Sequence, residues 1–202
     1  MTESLDAPVA RFDEQQFGER IRELRAERGL SLRSLAARLG ISPSALSQIE
    51  RGKMRPSVTR LYQIMTELDV PMTSVFGTQK AEAPSVAEPP SDRVAVTRGG
   101  EAATLVLDHG VRYRRLTPEA VPGMNFFEST YPPGSYSSQN AEYVRHSGHE
   151  VGNVVSGALV VDVGFETYEL TAGDSIMFPS TTPHRISNRG DATAVAIWIN
   201  LT

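Results

Sequence analysis

The hydrophobic pattern of the chain changes once, at a proline-rich segment between Gln79 and Asp92. Before this segment, apolar residues recur at the spacing of amphipathic helices. The segment itself, QKAEAPSVAEPPSD, holds three prolines and has no apolar period, which is typical of an extended linker. Short β-rich runs follow it. We therefore expect a tail over residues 1–12, a helical domain over 13–78, a linker over 79–93 and a β domain over 94–202.

Capping residues divide the first domain into helices. Ser31, Ser42 and Ser57 are suitable N-caps because a serine oxygen can accept a hydrogen bond from the first helical turn. Pro43 suits the first position of the helix that Ser42 begins. The stretch from residue 71 to 76 predicts a short fifth helix. We expect an all-α domain of five helices.

The second domain reads as many short strands separated by turn signals. Runs such as ALVVDV, SIMFP and AVAIWINL are rich in β-branched and aromatic residues. Turns such as Arg98-Gly99-Gly100 and Arg189-Gly190-Asp191 separate them. This spacing indicates an all-β sandwich or barrel.

Charge is distributed unevenly between the two parts. Residues 11–60 carry eleven Lys/Arg against six Asp/Glu, whereas the remainder carries nine against eighteen. A basic segment on an acidic protein suggests that this part meets a polyanion such as nucleic acid, although solvated basic helices would give the same balance.

Composition excludes several classes of function. The chain has no cysteine, which rules out disulfides, zinc–thiolate sites and thiol catalysis. It has no run of 18 apolar residues that would predict a transmembrane helix. Its first residues lack the charged and apolar regions of a secretory signal. We expect a cytoplasmic protein without membrane contact.

Two predicted helices separated by Gly40-Ile41-Ser42 form a candidate helix-turn-helix. A tight turn of this kind sets the second helix across the first, so that its N-terminal half can enter the major groove of DNA. Leu46 and Ile49 should face the core, which leaves serine and glutamine side chains for base edges and basic side chains for phosphates. The predicted DNA-contacting residues are Ser31, Arg33, Ser42, Ser44, Ser47, Gln48, Arg51, Lys53 and Arg55.

This region resembles the repressor-type helix-turn-helix family known as XRE or Cro/C1-like. The resemblance covers about residues 16–76 and is carried most specifically by the run LSQIERG at 46–52. It implies five helices, a homodimer bound to double-stranded operator DNA, and base contacts from the start of the third helix. Glu50 would repel phosphates, so we expect it to pair with Arg25 or Arg60.

Residues 94–202 resemble the cupin family, a double-stranded β-helix barrel of the jelly-roll type. The first stretch that carries the resemblance is HSGHEVGNVVSG at 146–157, and the second is GDSIMFP at 173–179 followed by Pro183-His184. The family's metal-ligand pattern maps onto His146, Glu150 and His184, while Val144 stands where a further histidine is usual. Two imidazoles and one carboxylate suit Fe, Mn, Ni or Zn with open coordination positions. A metal-free polar pocket for a small ligand is the alternative.

Other residues of the β domain extend this ligand-site prediction. His149 should point to the opposite face of a strand from Glu150 unless the backbone bulges. A mixture of aromatic residues with Glu128, Glu142 and Glu150 would suit an amine or an amino-acid-like effector. Strand alternation adds Phe126, Glu128 and Asn153 as less specific candidates, and Trp198 fits the barrel core as well as a ligand wall. The predicted ligand-binding residues are His146, Glu150, His184, Tyr136, Tyr143, Phe178 and Trp198.

These features favour a transcriptional regulator whose β domain senses a small effector. The alternative is a mononuclear iron enzyme, because an iron-dependent epoxidase acting on hydroxypropylphosphonate has the same two-domain layout. An enzyme would need a Lys or Tyr of the helical domain to reach the barrel. A DNA-binding role needs Gln48, Arg51 and Lys53 to be exposed. We assign no catalytic residue from the sequence.

Overall fold

Over residues 14–76, the part of the helical domain that the structure describes, there are four α-helices and one 3₁₀ helix. The structure is a computed structural model that describes residues 14–76, 94–138 and 142–201, so the predicted tail over 1–12 and the whole predicted linker over 79–93 lie outside the described residues. The elements are α1 (Glu14–Glu27), α2 (Leu32–Arg38), α3 (Pro43–Glu50), α4 (Val58–Glu67) and the 3₁₀ helix (Met72–Phe76).

The predicted caps begin three of these helices. Ser31, Ser42 and Ser57 each accept a hydrogen bond from the backbone N–H three residues later, at 3.1 Å in every case. The predicted short fifth helix over 71–76 is present as a 3₁₀ helix, so the domain has four α-helices in its described residues instead of five. The backbone N–H of Ser74 donates to the carbonyl of Pro71 at 2.9 Å, the i to i+3 bond of a 3₁₀ turn, because the segment is too short for an α-helix to propagate.

The helices pack around one apolar core that includes Leu46 and Ile49 of α3. A Cβ atom on Gly18 would lie 2.5 Å from the carbonyl oxygen of Ile49, so only glycine allows α1 to approach α3 this closely.

Helices in the described residues are all too short or too polar to cross a lipid bilayer.

Within residues 94–138 and 142–201, nine strands form two antiparallel sheets. The larger sheet has the order β1-β2-β3-β9-β4-β7 and the smaller has the order β6-β5-β8. Their bounds are β1 (Thr104–Val106), β2 (Arg112–Arg115), β3 (Met124–Tyr131), β4 (His149–Ser156), β5 (Ala158–Val163), β6 (Glu166–Thr171), β7 (Ser175–Pro179), β8 (His184–Ser187) and β9 (Ala194–Leu201).

Alternating burial gives each long strand of the larger sheet an inner face. In β9, for example, Ala194, Ala196, Trp198 and Asn200 are buried while the residues between them are more exposed. The two-domain architecture, helical and then all-β, is confirmed.

The two domains are in contact through α4 and the 3₁₀ helix. The backbone N–H of Thr59 donates to the carbonyl of Ser137 at 2.8 Å, and that of Asp108 donates to the carbonyl of Pro56 at 3.0 Å. Phe76 of the 3₁₀ helix stacks on Phe127 of β3 with ring centroids 5.6 Å apart. The start of α4 is therefore fixed to the β domain by backbone hydrogen bonds.

Candidate functional site: the helix-turn-helix surface and the barrel cavity

The third helix presents the predicted polar surface. Its apolar residues Leu46 and Ile49 are buried, as expected, which turns Ser44 to the exposed side. Ser47 and Gln48 are partly buried, while Arg51 and Lys53 after the helix are exposed. Exposed residues on either side of α3 include Ser31, Arg33, Ser42 and Arg55.

Four of the predicted DNA-contacting residues also make contacts within the chain. The hydroxyl oxygens of Ser31 and Ser42 cap their own helices. Arg55 pairs with Glu14 of α1, and the Arg51 guanidinium donates to the carbonyl of Ser47 at 3.0 Å. Any DNA contact from these four would replace or share an existing bond, whereas Ser44 and Lys53 are exposed and Gln48 is partly exposed.

Glu50 has the structural role that its charge predicts. Its carboxylate accepts two hydrogen bonds from Arg25, at 2.6 and 2.9 Å, and both side chains are largely buried. The pair raises the pKa of Arg25 through the hydrogen bond to Glu50, against the opposing effect of burial. Arg60 instead donates to the carbonyl of Leu39 at 2.8 Å, so Arg25 is the partner of Glu50.

In the β domain, His146, Glu150 and His184 converge as the sequence predicts. One ligand atom from each lies within 4.8 Å of the others. His146 precedes β4, Glu150 lies on β4 and His184 begins β8, so the site joins both sheets. The Nε2 atoms of His146 and His184 lie 2.7 and 3.3 Å from the same Glu150 oxygen.

The other ring nitrogens define the protonation of the two histidines. His146 Nδ1 lies 3.1 Å from the carbonyl of Ser147, and His184 Nδ1 lies 2.8 Å from that of Thr182. A carbonyl oxygen only accepts, so each Nδ1 carries a proton and each Nε2 faces Glu150. Two nitrogen lone pairs beside a carboxylate require a cation between them, either protons or a divalent metal. The donor set therefore fits a metal ion.

The pKa shifts reflect the same cluster. Burial raises the pKa of Glu150, but the hydrogen bonds and charges of His146 and His184 outweigh it and lower that pKa to about 2. Burial lowers the pKa of His184, yet the hydrogen bond and charge of Glu150 outweigh it, so the net pKa is raised. These shifts favour the ionised carboxylate of Glu150 and the protonated form of His184.

A cavity lies next to this cluster, between the barrel and α4. The strand register explains its barrel side, because Glu150 is paired with Phe178 of β7 and with Asn200 of β9, and paired residues share a face. Phe178 and Trp198 are both buried, and Trp198 serves at once as core and as cavity wall. The lining residues are Val58, Tyr62, Tyr113, Phe127, Ser137, Val144, Glu150, His184, Ile186, Trp198 and Asn200.

The two predicted tyrosines of the ligand site lie elsewhere. Tyr136 and Tyr143 are 45% and 41% exposed. The ring of Tyr136 meets His109 edge to face, and the ring of Tyr143 lies under the guanidinium of Arg185. Both residues lie outside the long strands, so alternation did not apply to them. Their proposed ligand contacts are not supported by their positions.

The less specific candidates also point away from the cavity. Phe126 and Glu128 lie on the outer face of β3, and Asn153 is exposed on β4. His149 is exposed too, as expected for the neighbour of Glu150 on a strand. Glu128 pairs with Arg114 at 2.6 Å.

The helical domain contributes two cavity residues that the sequence analysis missed. Val58 and Tyr62 of α4 form one wall, and the Tyr62 ring stacks on the imidazole of His146. Tyr62 follows Val58 by four positions, which places both on one face of a helix. That spacing was readable, but nothing local identified the barrel as the surface that this face meets.

Comparisons with known proteins find a similarity for part of each domain. A helix-turn-helix model matches residues 21–75, and a cupin domain model matches residues 127–200. The HTH-type transcriptional regulator PuuR of Escherichia coli is 29% identical over 172 residues, which cover 85% of this chain and 86% of that protein. The HTH-type transcriptional regulator SutR of Escherichia coli is 26% identical over 173 residues, which cover 86% and 87%.

A solved structure agrees over nearly the full length. An HTH_3 family transcriptional regulator from Vibrio cholerae superposes on 94% of this chain and 97% of its own, with a TM-score of 0.67 and 24% identity. This likeness establishes the two-domain fold.

Proposed function

From a chain that joins an XRE-type helix-turn-helix domain to a cupin domain, we propose a transcriptional regulator that binds operator DNA sequence-specifically and whose barrel senses a small ligand. The observation that carries this proposal is the exposed polar start of α3, with buried Leu46 and Ile49 behind it and basic residues after it. Relatives that match over most of both chains are HTH-type transcriptional regulators, which supports the same function.

DNA recognition would use the N-terminal half of α3 in the major groove. Gln48 can form two hydrogen bonds with an adenine edge, and Ser44 and Ser47 can serve several bases. Arg33, Lys53 and Arg55 supply phosphate contacts that set the register. A homodimer would place two such helices about 34–36 Å apart, one turn of DNA, so the operator should contain two half-sites at that spacing.

The barrel site would hold a divalent metal through His146, Glu150 and His184. A bound Fe, Mn, Ni or Zn ion would supply an electrophilic centre with open positions for an oxygen or nitrogen donor of the effector. The second-layer carbonyls of Ser147 and Thr182 already orient both imidazoles for this role. A metal-free pocket that hydrogen-bonds the effector through the same three residues is the alternative form of the sensor.

The class of effector follows from the charges that face the cavity. Our expectation of an amine or amino-acid-like effector used three carboxylates. Of these, Glu128 pairs with Arg114 on the outer face and Glu142 lies 3.7 Å from Arg60. Glu150 alone lines the cavity, so the support for an amine-like effector now depends on this one residue.

The enzyme alternative has one structural feature in its favour. Tyr62 of the helical domain reaches the barrel, as an enzyme would need. Arg51 and Lys53 are exposed and Gln48 is partly exposed, as DNA binding needs. The criterion for an enzyme and the criterion for a DNA-binding protein are therefore both met. The regulator relatives make the enzyme the weaker candidate.

Replacing Gln48 with alanine tests the DNA-binding role. We expect Gln48→Ala to weaken binding to the operator by about 5- to 150-fold, the loss of one bidentate base contact, while binding to random DNA stays nearly unchanged. Fluorescence anisotropy with both DNAs measures this ratio. Gln16→Ala is the matched control, because Gln16 is an exposed glutamine of α1 and is not among the predicted DNA-contacting residues. An unchanged ratio for Gln48→Ala would refute base recognition by this residue.

A further inference from the structure

One side chain of the DNA-binding domain covers a predicted metal ligand of the barrel. The rings of Tyr62 and His146 are stacked, with centroids 4.6 Å apart and planes 14° apart. This separation lies within the range of attractive aromatic contacts. The imidazole beneath the tyrosine is the one that holds Glu150 at 2.7 Å, and only 7% of its side chain is exposed. The orientation of His146 therefore depends on α4.

A second contact joins α4 to the same segment of the barrel. Arg60, two residues before Tyr62, donates to the carbonyl of Leu39 at 2.8 Å. Its guanidinium also lies 3.7 Å from the carboxylate of Glu142, four residues before His146. Leu39 is the C-cap of α2, inside the turn of the helix-turn-helix. One helix thus contacts both the DNA-binding turn and the segment before β4 that carries a predicted ligand.

The position of α4 within its own domain makes this contact mechanically relevant. Leu61 and Ile64 of α4 are buried in the same core as Leu46 and Ile49 of α3. At its start, α4 is held to the barrel by the bond between Thr59 and Ser137. A shift of α4 at the cavity would therefore be transmitted to the recognition helix through packed side chains.

We propose that Tyr62 is a residue of the barrel's cation site supplied by the DNA-binding domain, and that its ring on His146 couples occupancy of that site to the helix-turn-helix. The proposal deepens the proposed function, because it takes the barrel as the sensor of the regulator. A divalent cation fixes His146 in its ligating orientation and so stabilises the stacked arrangement of α4. Without the cation, His146 is held only by its hydrogen bonds to Ser147 and Glu150 and by the stack itself, so the stacked arrangement of α4 is less stable. Differential stability of these two states is what changes DNA affinity.

The test uses Co(II) alone as the probe and the full chain. Trp198, the only tryptophan of the chain, lines the cavity, so its emission reports occupancy together with the visible bands of Co(II). We compare the wild type with Tyr62→Leu, which keeps apolar packing but removes the stack, and Tyr62→Phe, which keeps the ring. Thr66→Ala, exposed at the end of α4, is the control. Circular dichroism verifies that each variant is folded.

We expect Tyr62→Leu to weaken Co(II) binding by about 2- to 10-fold, the value of one aromatic stack, and to abolish the effect of Co(II) on DNA affinity. Tyr62→Phe should keep both the Co(II) affinity of the wild type and the effect of Co(II) on DNA affinity. If Tyr62→Leu matches the wild type in Co(II) affinity and in its DNA response, the proposal is overturned while the regulator stands. If the wild type binds no Co(II), both the metal form of the sensor and this proposal are overturned. If it binds Co(II) but no DNA, the regulator fails, and the Co(II) affinities still decide whether Tyr62 belongs to the site.

Discussion

The buried pair of Arg25 and Glu50 shows how a single charge in a DNA-binding motif serves the fold. Both side chains lie between α1 and α3, and removing one partner leaves a largely buried charge without compensation. We expect Glu50→Gln to lower the free energy of unfolding by about 3 kcal/mol. Urea unfolding at neutral pH measures the loss. Glu67→Gln, at the end of α4, should change stability little, and an equal loss in both variants would contradict the role of the pair.

Gly152 has no room for a side chain, because the ring of Trp198 packs against its backbone. A Cβ atom at this position would lie 2.4 Å from Trp198 Cζ3, too close for any side chain. We expect Gly152→Ala to displace the indole, to shift the emission of Trp198 and to destabilise the barrel by about 1–3 kcal/mol. Gly100→Ala meets open space and is the control. Unchanged emission in Gly152→Ala would show that the cavity wall is not built as described.

At the residue scale, the sequence predicted those features that a local pattern encodes. His146, Glu150 and His184 were predicted from the resemblance to the cupin family's ligand pattern, and the structural role of Glu50 from the repulsion between its charge and phosphate. Tyr136 and Tyr143 lie outside the cavity lining, and the two-residue period of a strand does not apply to them, because Tyr136 forms an isolated bridge with Ser187 and Tyr143 precedes the isolated bridge of Val144. Orientation there is set by contacts with residues distant in sequence.

Among the elements, α4 is the helix whose first turn contacts both domains. Ser57 caps it by accepting from the N–H of Arg60, and this serine is buried. We expect Ser57→Ala to lower stability by about 1 kcal/mol, the usual cost of losing an N-cap. Thermal unfolding measures it, with Thr66→Ala on the same helix as control. A loss no larger than that of the control would show that the cap does not hold the helix start.

At the scale of the elements, the helices could be predicted from the sequence, whereas the pairing of the strands could not. Serine caps and apolar spacing located the four α-helices because helix signals are local. The type of the short helix at Met72–Phe76 could not be predicted in this way, because a 3₁₀ helix differs from an α-helix in which carbonyl oxygens its N–H groups reach. The strand order β1-β2-β3-β9-β4-β7 joins strands far apart in the sequence, so the pairing of Glu150 with Phe178 and Asn200 could not be read from any single run.

The whole molecule combines a basic helical part with an acidic barrel part through direct contacts. The balance of +5 over residues 11–60 and −9 over the rest matches a protein that brings only one end to DNA. The contact between the two ends is the feature that sequence periods did not reveal, since Val58 and Tyr62 look like any other residues of an amphipathic helix. The proposed sensing site and the helix-turn-helix therefore both contact α4.

The most direct test of this account is the binding of the full chain to the DNA upstream of its own coding region. Anisotropy is measured against random DNA of equal length, before and after chelation, with metal content determined on the same sample by mass spectrometry. We predict affinity at least about 10³-fold tighter for the upstream DNA. About one metal per chain, with DNA affinity that changes on chelation, would support His146, Glu150 and His184 as the sensor site. Specific binding without metal would identify the metal-free pocket. Equal affinity for upstream and random DNA would contradict the central claim that this protein is a sequence-specific regulator.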